Sequence, residues 1–173
     1  YSANDIMCNQ YIGNDLNNII DASKIEYQYY PVKIDGKTGN DTMIGSVGDT
    51  IFVVDNIGDI VIDNFNNNQN VFDTVETSLS YTLGNNIENL TLTGSAYSSG
   101  DGNELDNVID GSISLMANTL TGKSGNDTYI IGLNDIVIEN QNQGIDTVKI
   151  ANLAGHSETT YSIDNWKNIE NLT

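Results

Sequence analysis

Two repeats of different length, one nested inside the other, constrain this chain more than any other feature. The shorter has a period of about nine residues, the length of nonapeptide β-helix repeats. Gly36 opens one such unit and Gly45 the next; Gly102 and Gly111 open two more, and Gly122 follows after a small insertion. Each unit holds a turn rich in Gly and Asn, then a short stretch with one large apolar side chain. Those apolar positions are Ile20, Met43, Phe52, Val61, Ile109, Leu120 and Tyr129. One apolar residue in nine cannot make an amphipathic helix, which needs three or four in every two turns. Nor can so short a strand bury itself. The rows must stack, so that each apolar side chain packs on those above and below while the backbones pair in parallel about 4.8 Å apart. The expectation is an all-β chain: a right-handed parallel β-roll or β-helix solenoid with Gly/Asn/Asp-rich turns. Residues 70–92 and 143–173 carry longer apolar and alternating runs, which predict wider turns with longer strands. No segment reads as a helix.

The longer repeat shows as ordered echoes. Gly13-Asn14-Asp15-Leu16-Asn17-Asn18-Ile19-Ile20-Asp21 returns as Gly102-Asn103-Glu104-Leu105-Asp106-Asn107-Val108-Ile109-Asp110. Gly36-Lys37-Thr38-Gly39-Asn40-Asp41-Thr42 returns as Gly122-Lys123-Ser124-Gly125-Asn126-Asp127-Thr128. Asp59-Ile60-Val61-Ile62, Asp73-Thr74-Val75 and Ile87-Glu88-Asn89-Leu90-Thr91 return in the same order from Asp135, Asp146 and Ile169. The shift is about 75 to 90 residues, a spacing typical of repeat architectures. The chain therefore divides into a first copy, residues 1–99, and a second, truncated copy, residues 100–173, which continues the same solenoid. It begins and stops in mid-pattern, as a piece of a larger protein would.

Charge narrows the partners. There are 24 acidic residues against 6 basic ones, all lysine, for a net charge of −18. Such an imbalance disfavours nucleic acid, whose phosphates need clustered Lys and Arg. It opposes compaction unless cations neutralise it, and carboxylates gathered at turns suit a hard divalent cation such as calcium. Cys8 stands alone, which excludes a disulfide framework and a cysteine zinc site. No apolar run is long enough to cross a bilayer, so no transmembrane segment is expected.

Gly36-Lys37-Thr38-Gly39-Asn40-Asp41-Thr42-Met43-Ile44 resembles the repeats-in-toxin nonapeptide G-G-x-G-x-D-x-U-x, with Lys37 in place of the second glycine. Gly122-Lys123-Ser124-Gly125-Asn126-Asp127-Thr128-Tyr129-Ile130 departs from it in the same way. The wider pattern is similar to the degenerate long repeats of large type I-secreted bacterial proteins. That resemblance implies calcium held by turn carbonyls and by the sixth-position Asp, and a chain that folds on calcium after export. The ligand set it implies is Gly36, Thr38, Asn40, Asp41, Asp49, Asp59 and Asp73 in the first copy, and Gly122, Ser124, Asn126, Asp127, Asp135 and Asp146 in the second. Successive rows of a roll turn on opposite edges, so a site needs two acidic turns two rows apart, about 18 residues along the chain. Asp41 and Asp59 have that separation, and Asp127 and Asp146 come within about a residue of it. These two pairs are the leading site expectations.

Other rows depart from the pattern. The unit at Gly45 places Thr50 at the sixth position, with Asp49 one residue early. The rows opening at Gly13 and Gly102 carry Asn18 and Asn107 there, and the row opening at Gly111 carries Asn118 two residues later, two before its apolar Leu120. Asn keeps an oxygen and loses the charge, so these rows are expected to be empty of calcium and to stack as side-chain amide ladders. About two to four ions follow from two turns per site.

No catalytic constellation is visible. His156, the single histidine, reads as a loop residue, and Tyr161 and Trp166 read as packing residues. The expected function is a calcium-binding structural repeat region of a large secreted bacterial toxin or adhesin, located outside the cell or at its surface, and not an enzyme. The alternative is a carbohydrate-binding accessory module of a secreted enzyme, with a cell-surface glycan or other domains of the parent protein as partner.

Overall fold

The computed structural model describes residues 9–25, 29–64, 71–151 and 167–173. Cys8, His156, Tyr161 and Trp166 lie outside these residues. Within them the chain is all β, with no helix, and every strand pairing is parallel. It is a parallel β-solenoid of the kind expected.

One face is a nine-stranded sheet. Its strands, in spatial order, are β1 (Asn9–Ile12), β3 (Val32–Asp35), β5 (Thr50–Val54), β7 (Thr74–Thr77), β9 (Asn89–Leu92), β11 (Val108–Asp110), β13 (Thr128–Ile131), β15 (Thr147–Ile150) and β16 (Asn171–Leu172). The other face is two shorter sheets. One has β2 (Ile19–Asp21), β4 (Thr42–Ile44) and β6 (Ile60–Ile62); the other has β8 (Tyr81–Thr82), β10 (Ser98–Asp101), β12 (Asn118–Thr121) and β14 (Ile136–Ile138). From β1 to β15, odd strands thus lie on one side and even strands on the other as the chain winds, and β16 joins the odd strands. The boundary between the sequence copies falls inside β10, and the nine-stranded sheet runs unbroken past it.

Register shows why these short segments become strands. A single inward column crosses the long sheet: Tyr11, Ile34, Phe52, Val75, Leu90, Ile109, Tyr129, Val148 and Leu172 are successive partners. Opposite it stand Ile20, Met43 and Val61 in one short sheet, and Tyr81, Gly100, Leu120 and Val137 in the other. Of the seven apolar positions read from the repeat, Met43, Phe52, Ile109, Leu120 and Tyr129 are fully buried, and Ile20 and Val61 pack against them half-buried. Each row contributes little alone, and the stack makes the core.

The rows are less regular than the nonapeptide suggests. Asn9 pairs with Val32 and Val32 with Thr50, while Thr74 pairs with Asn89 and Thr147 with Asn171. Residues 70–92 therefore do not form the wide turn predicted for them. The step from β7 to β9 is among the tightest in the molecule, and β8 has only 2 residues. The alternating run around Val75 is one four-residue strand followed by a sharp reversal, because Thr77 ends the strand by accepting the Leu79 N–H on its hydroxyl (3.1 Å). Thr147 of β15 pairs with Asn171 of β16, and most of the second wide turn predicted, residues 152–166, lies outside the described residues.

Candidate functional site

In a parallel stack, the residue just before each strand has an N–H that points at the next row and lacks a ladder partner. Here a carboxylate from that next row supplies one. Along the long sheet, Thr50 N–H donates to Asp73 Oδ1 (2.6 Å), Asp73 N–H to Glu88 Oε2 (2.9 Å), Asn107 N–H to Asp127 Oδ1 (2.8 Å), Asp127 N–H to Asp146 Oδ1 (2.9 Å) and Asp146 N–H to Glu170 Oε2 (2.7 Å). On the opposite edge Asn18 N–H donates to Asp41 Oδ1 (2.7 Å), Asp41 N–H to Asp59 Oδ1 (2.9 Å) and Asn118 N–H to Asp135 Oδ1 (2.7 Å). These charge-assisted bonds give the turn acids a structural role before any ligand is considered. Both pairs named from spacing, Asp41/Asp59 and Asp127/Asp146, are stacked neighbours in these columns, on opposite edges of the solenoid.

What matters for binding is the oxygen left over. Asp59 has none: its Oδ2 accepts from Asp55 N–H (3.2 Å) and Asn56 N–H (3.1 Å). Asp135 has none either, because its Oδ2 accepts from Gly132 N–H (2.7 Å). Asp41 and Asp127 differ. Each is 1% exposed, and the Oδ2 of each has no hydrogen-bond partner. A buried polar atom left unpaired costs on the order of 1–3 kcal/mol, and more when charged, so these two oxygens call for a positive partner.

At Asp127 the geometry goes further. Asp127, Glu139 and Asp146 are all buried, and one carboxylate oxygen from each lies within 4.8 Å of the others. Glu139 leaves the end of β14 on the far sheet and reaches across the roll. Its Oε1 accepts from the Tyr129 hydroxyl and from Gly122 N–H (3.2 Å), while its Oε2 is buried without a partner. A Cβ built at Gly122 would overlap Asp127 Oδ2 and the Tyr129 hydroxyl, so only glycine lets these two groups come so close to the backbone here. Burial raises Asp127 to about 7, with Asp146 and Glu139 adding to the rise. Burial likewise pushes Glu139 up, helped by Asp146, and pushes Asp146 up, helped by Glu170 and Asp106. Three buried carboxylates this close do not all ionise without a cation among them. Two unpartnered oxygens and an all-oxygen donor set fit a hard divalent cation.

No family model, curated protein or solved structure matches this chain.

The turns differ in how the side chain near the sixth position is used. In the rows opening at Gly13, Gly45 and Gly102 it closes the turn on itself: Asn14 N–H donates to Asn18 Oδ1 (2.7 Å), Ser46 N–H to Thr50 Oγ1 (3.0 Å) and Asn103 N–H to Asn107 Oδ1 (2.8 Å). In the row opening at Gly111, Ser112 N–H donates instead to Asp110 Oδ1 (2.9 Å). In the two Asp rows the second residue is a lysine with positive φ, 65° at Lys37 and 77° at Lys123, followed by Gly39 at 134° and Gly125 at 119°. That left-handed conformation costs a lysine about 1–2 kcal/mol. Lys37 N–H turns to Asp35 Oδ1 (3.0 Å), and Asp41 Oδ2 and Asp127 Oδ2 receive no closing bond.

The Asn rows do not form the expected amide ladders. Asn107 Nδ2 donates to the Ile87 and Glu88 carbonyls (3.2 and 3.1 Å), and Asn118 Nδ2 to the Gly111 carbonyl and Asp135 Oδ1 (both 3.1 Å). Asn18 Nδ2 stays within its own turn, on Asn14 Oδ1 (3.4 Å). Each Asn has a carboxylate of the next row stacked on its N–H instead of another Asn, so the amide serves backbone carbonyls.

The remaining residues named from sequence are placed as follows. Gly36 lies against Asp41, as Gly122 does against Asp127. Thr38 is exposed and donates to Asp15 Oδ1 (3.1 Å). Asn40 and Asn126 are exposed, with their N–H groups on Asn17 Oδ1 (2.9 Å) and Asp106 Oδ1 (2.6 Å), and Ser124 is exposed beside them. Asp49 is exposed and accepts from Phe72 N–H (3.0 Å), whereas Asp73 is buried. Glu139 and Tyr129 were not on the sequence list of ligands. Glu139 follows Asp135-Ile136-Val137-Ile138 as Asp63 follows Asp59-Ile60-Val61-Ile62, and that paired acid was the available signal.

Proposed function

We propose that this chain is a calcium-binding structural repeat region of a large secreted bacterial toxin or adhesin, which folds on calcium outside the cell. The observation that carries the reading is the pair of buried, unpartnered oxygens, Asp127 Oδ2 and Glu139 Oε2, in the cluster with Asp146. Asp127, Glu139 and Asp146 are the side chains that would hold the ion, with the Asp41 turn as the weaker second place. Bound there, a divalent cation supplies the charge that the three carboxylates lack. Tyr129 and Gly122 N–H fix Glu139 through its Oε1, leaving Oε2 without a hydrogen-bond partner.

Folding and binding are then coupled. A chain of net charge −18 with carboxylates buried along its edges is disfavoured as a compact state until a cation is present. Binding free energy becomes folding free energy, which suits export of an unfolded chain from a calcium-poor interior. The two positive-φ lysine turns, confined to the Asp rows, give this resemblance a structural correlate.

Isothermal calorimetry with calcium, beside far-UV circular dichroism in chelator, tests the reading. Calcium uptake accompanied by a gain of β signal is expected, and uptake should fall by at least one ion in Asp127→Asn. A chain that takes up no calcium, or that gains neither β signal nor stability when calcium replaces chelator, would refute it.

A further inference from the structure

The two halves of the solenoid do not treat this edge alike. The sequence repeat aligns Asp41 with Asp127, but the winding does not. β4 belongs to a short sheet and β13 to the long one, so the strand that occupies the place of β13 in the first half is β5. By sheet position and chain order Thr50 then corresponds to Asp127, Phe52 to Tyr129, Asp59 to Asp135, Asp63 to Glu139 and Asp73 to Asp146. The first half thus keeps two acids of the cluster and replaces the third acid by a hydroxyl and the phenol by a phenyl ring.

The surroundings confirm that this is the same place. A Cβ built at Gly122 meets Asp127 Oδ2 and the Tyr129 hydroxyl; one built at Gly45 meets Phe52 Cζ at 3.0 Å, Asp63 Oδ1 at 3.1 Å and Thr50 Oγ1 at 3.5 Å. Asp127 leaves an oxygen unpartnered there. Thr50 does not: its Oγ1 accepts from Ser46 N–H (3.0 Å), lies 3.1 Å from Ser46 Oγ and 3.2 Å from the Gly48 carbonyl, while Ser46 Oγ reaches the same carbonyl at 2.8 Å. Ser46 and Thr50 are both buried, at 2% and 0% exposure. This hydrogen-bond latch joins the second, fourth and sixth residues of its row, the residues that the second half leaves open as Lys123, Gly125 and Asp127.

We propose that the Ser46–Gly48–Thr50 latch does in the first half what a hard cation does at Asp127–Glu139–Asp146 in the second, so that this edge takes one ion and not two. The inference rests on the calcium reading above. It makes the β5 row a metal-independent seed on which the rest of the solenoid can stack, with the ion controlling the β13–β15 rows.

Hydrogen exchange on the whole chain, with and without calcium, separates the two halves. At free calcium 100 times its dissociation constant, amides of residues 122–131 and 145–150 are expected to slow by about 100-fold, while those of residues 46–54 stay as they were in chelator. Parallel slowing of residues 46–54 would overturn the inference and leave the calcium reading standing. Absence of calcium uptake anywhere would instead refute the calcium reading. Ion counting gives a second arm, in an Asp41→Asn background that silences the opposite edge. One ion is expected there, none after Asp127→Asn, and two after Thr50→Asp with Phe52→Tyr, which rebuilds the cluster. A folded Thr50→Asp/Phe52→Tyr variant that still takes one ion, or a parent that takes two and loses one through Asp73→Asn, would overturn it.

Discussion

Replacing Asp127 by Asn should change stability in opposite directions with and without calcium. Asn keeps the oxygen that accepts the Asn107 N–H and removes the charge. In the ion-free fold Asp127 is held at about 7, against 3.8 in an unperturbed chain, and at about 1.4 kcal/mol per pKa unit that penalises the ionised carboxylate by about 4 kcal/mol at pH 8. The sign follows from linkage. The native state binds the proton more tightly than the unfolded state, so the penalty is absent below about pH 4, grows as pH rises and is complete above about pH 7. Asn carries no such penalty, but its buried amide must still be satisfied, at a cost of about 1–3 kcal/mol. In chelator at pH 8 the variant should therefore be about 1–3 kcal/mol more stable than the parent. In calcium at 1,000 times its dissociation constant the order reverses, because the parent gains about 4 kcal/mol and the variant loses that gain. Urea denaturation followed by circular dichroism at pH 8, in chelator and in calcium, measures both. A variant less stable in chelator that keeps the full calcium response would refute the claim that Asp127 is an unpaired carboxylate awaiting a cation.

Other consequences follow from the same geometry. In chelator the stability of the wild-type chain should fall between about pH 4 and pH 8, because Asp127 and Asp73, at about 7 and about 8, both bind protons more tightly when folded; calcium should flatten the Asp127 share of that decline, and thermal melts across the range would show it. Gly144→Ala should be severely destabilising, by about 3 kcal/mol or more, since a Cβ there overlaps the Gly125 carbonyl oxygen and stands 2.9 Å from Asp146 Oδ1; chemical denaturation in calcium gives the value. Ile109→Ala, which empties a fully buried place in the central column, should cost about 2–5 kcal/mol in the same assay. Lys33→Ala removes a half-exposed ion pair with Glu76 (2.6 Å) and should cost no more than about 1 kcal/mol.

The fold was legible because its rule is local and repeated. One apolar side chain per row leaves a chain no way to bury Met43, Phe52, Ile109, Leu120 and Tyr129 except by stacking, and stacking those rows brings the turn acids into columns. The spacing therefore paired Asp41 with Asp59 and Asp127 with Asp146 before any coordinates. Row length was not legible, because a solenoid absorbs insertions and deletions in its turns at little cost, and nothing in residues 70–92 announced the tight step between β7 and β9. The third acid escaped for a related reason. Glu139 comes from the far sheet, and its distance from Asp127 along the chain depends on how the intervening row winds. The extra row in the first copy shows the same effect: sequence alignment matches Asp41 with Asp127, whereas the winding matches Thr50 with Asp127. Hydrogen bonding explains the failed amide ladders: the next row's carboxylate takes the N–H of each Asn, Asn107 and Asn118 turn their amides to backbone carbonyls, and Asn18 keeps its amide on Asn14 within its own turn.

The central claim is that a hard cation completes the Asp127–Glu139–Asp146 edge of a parallel solenoid. Anomalous scattering from crystals grown in calcium, or in a lanthanide substitute, tests it most directly. The account predicts an anomalous peak about 2.3–2.6 Å from Asp127 Oδ2, Glu139 Oε2 and an Asp146 oxygen, and none at the Asn18, Asn107 or Asn118 turns. A metal-free Asp127 cluster in a fully calcium-loaded crystal, or a peak at an Asn turn instead, would contradict it.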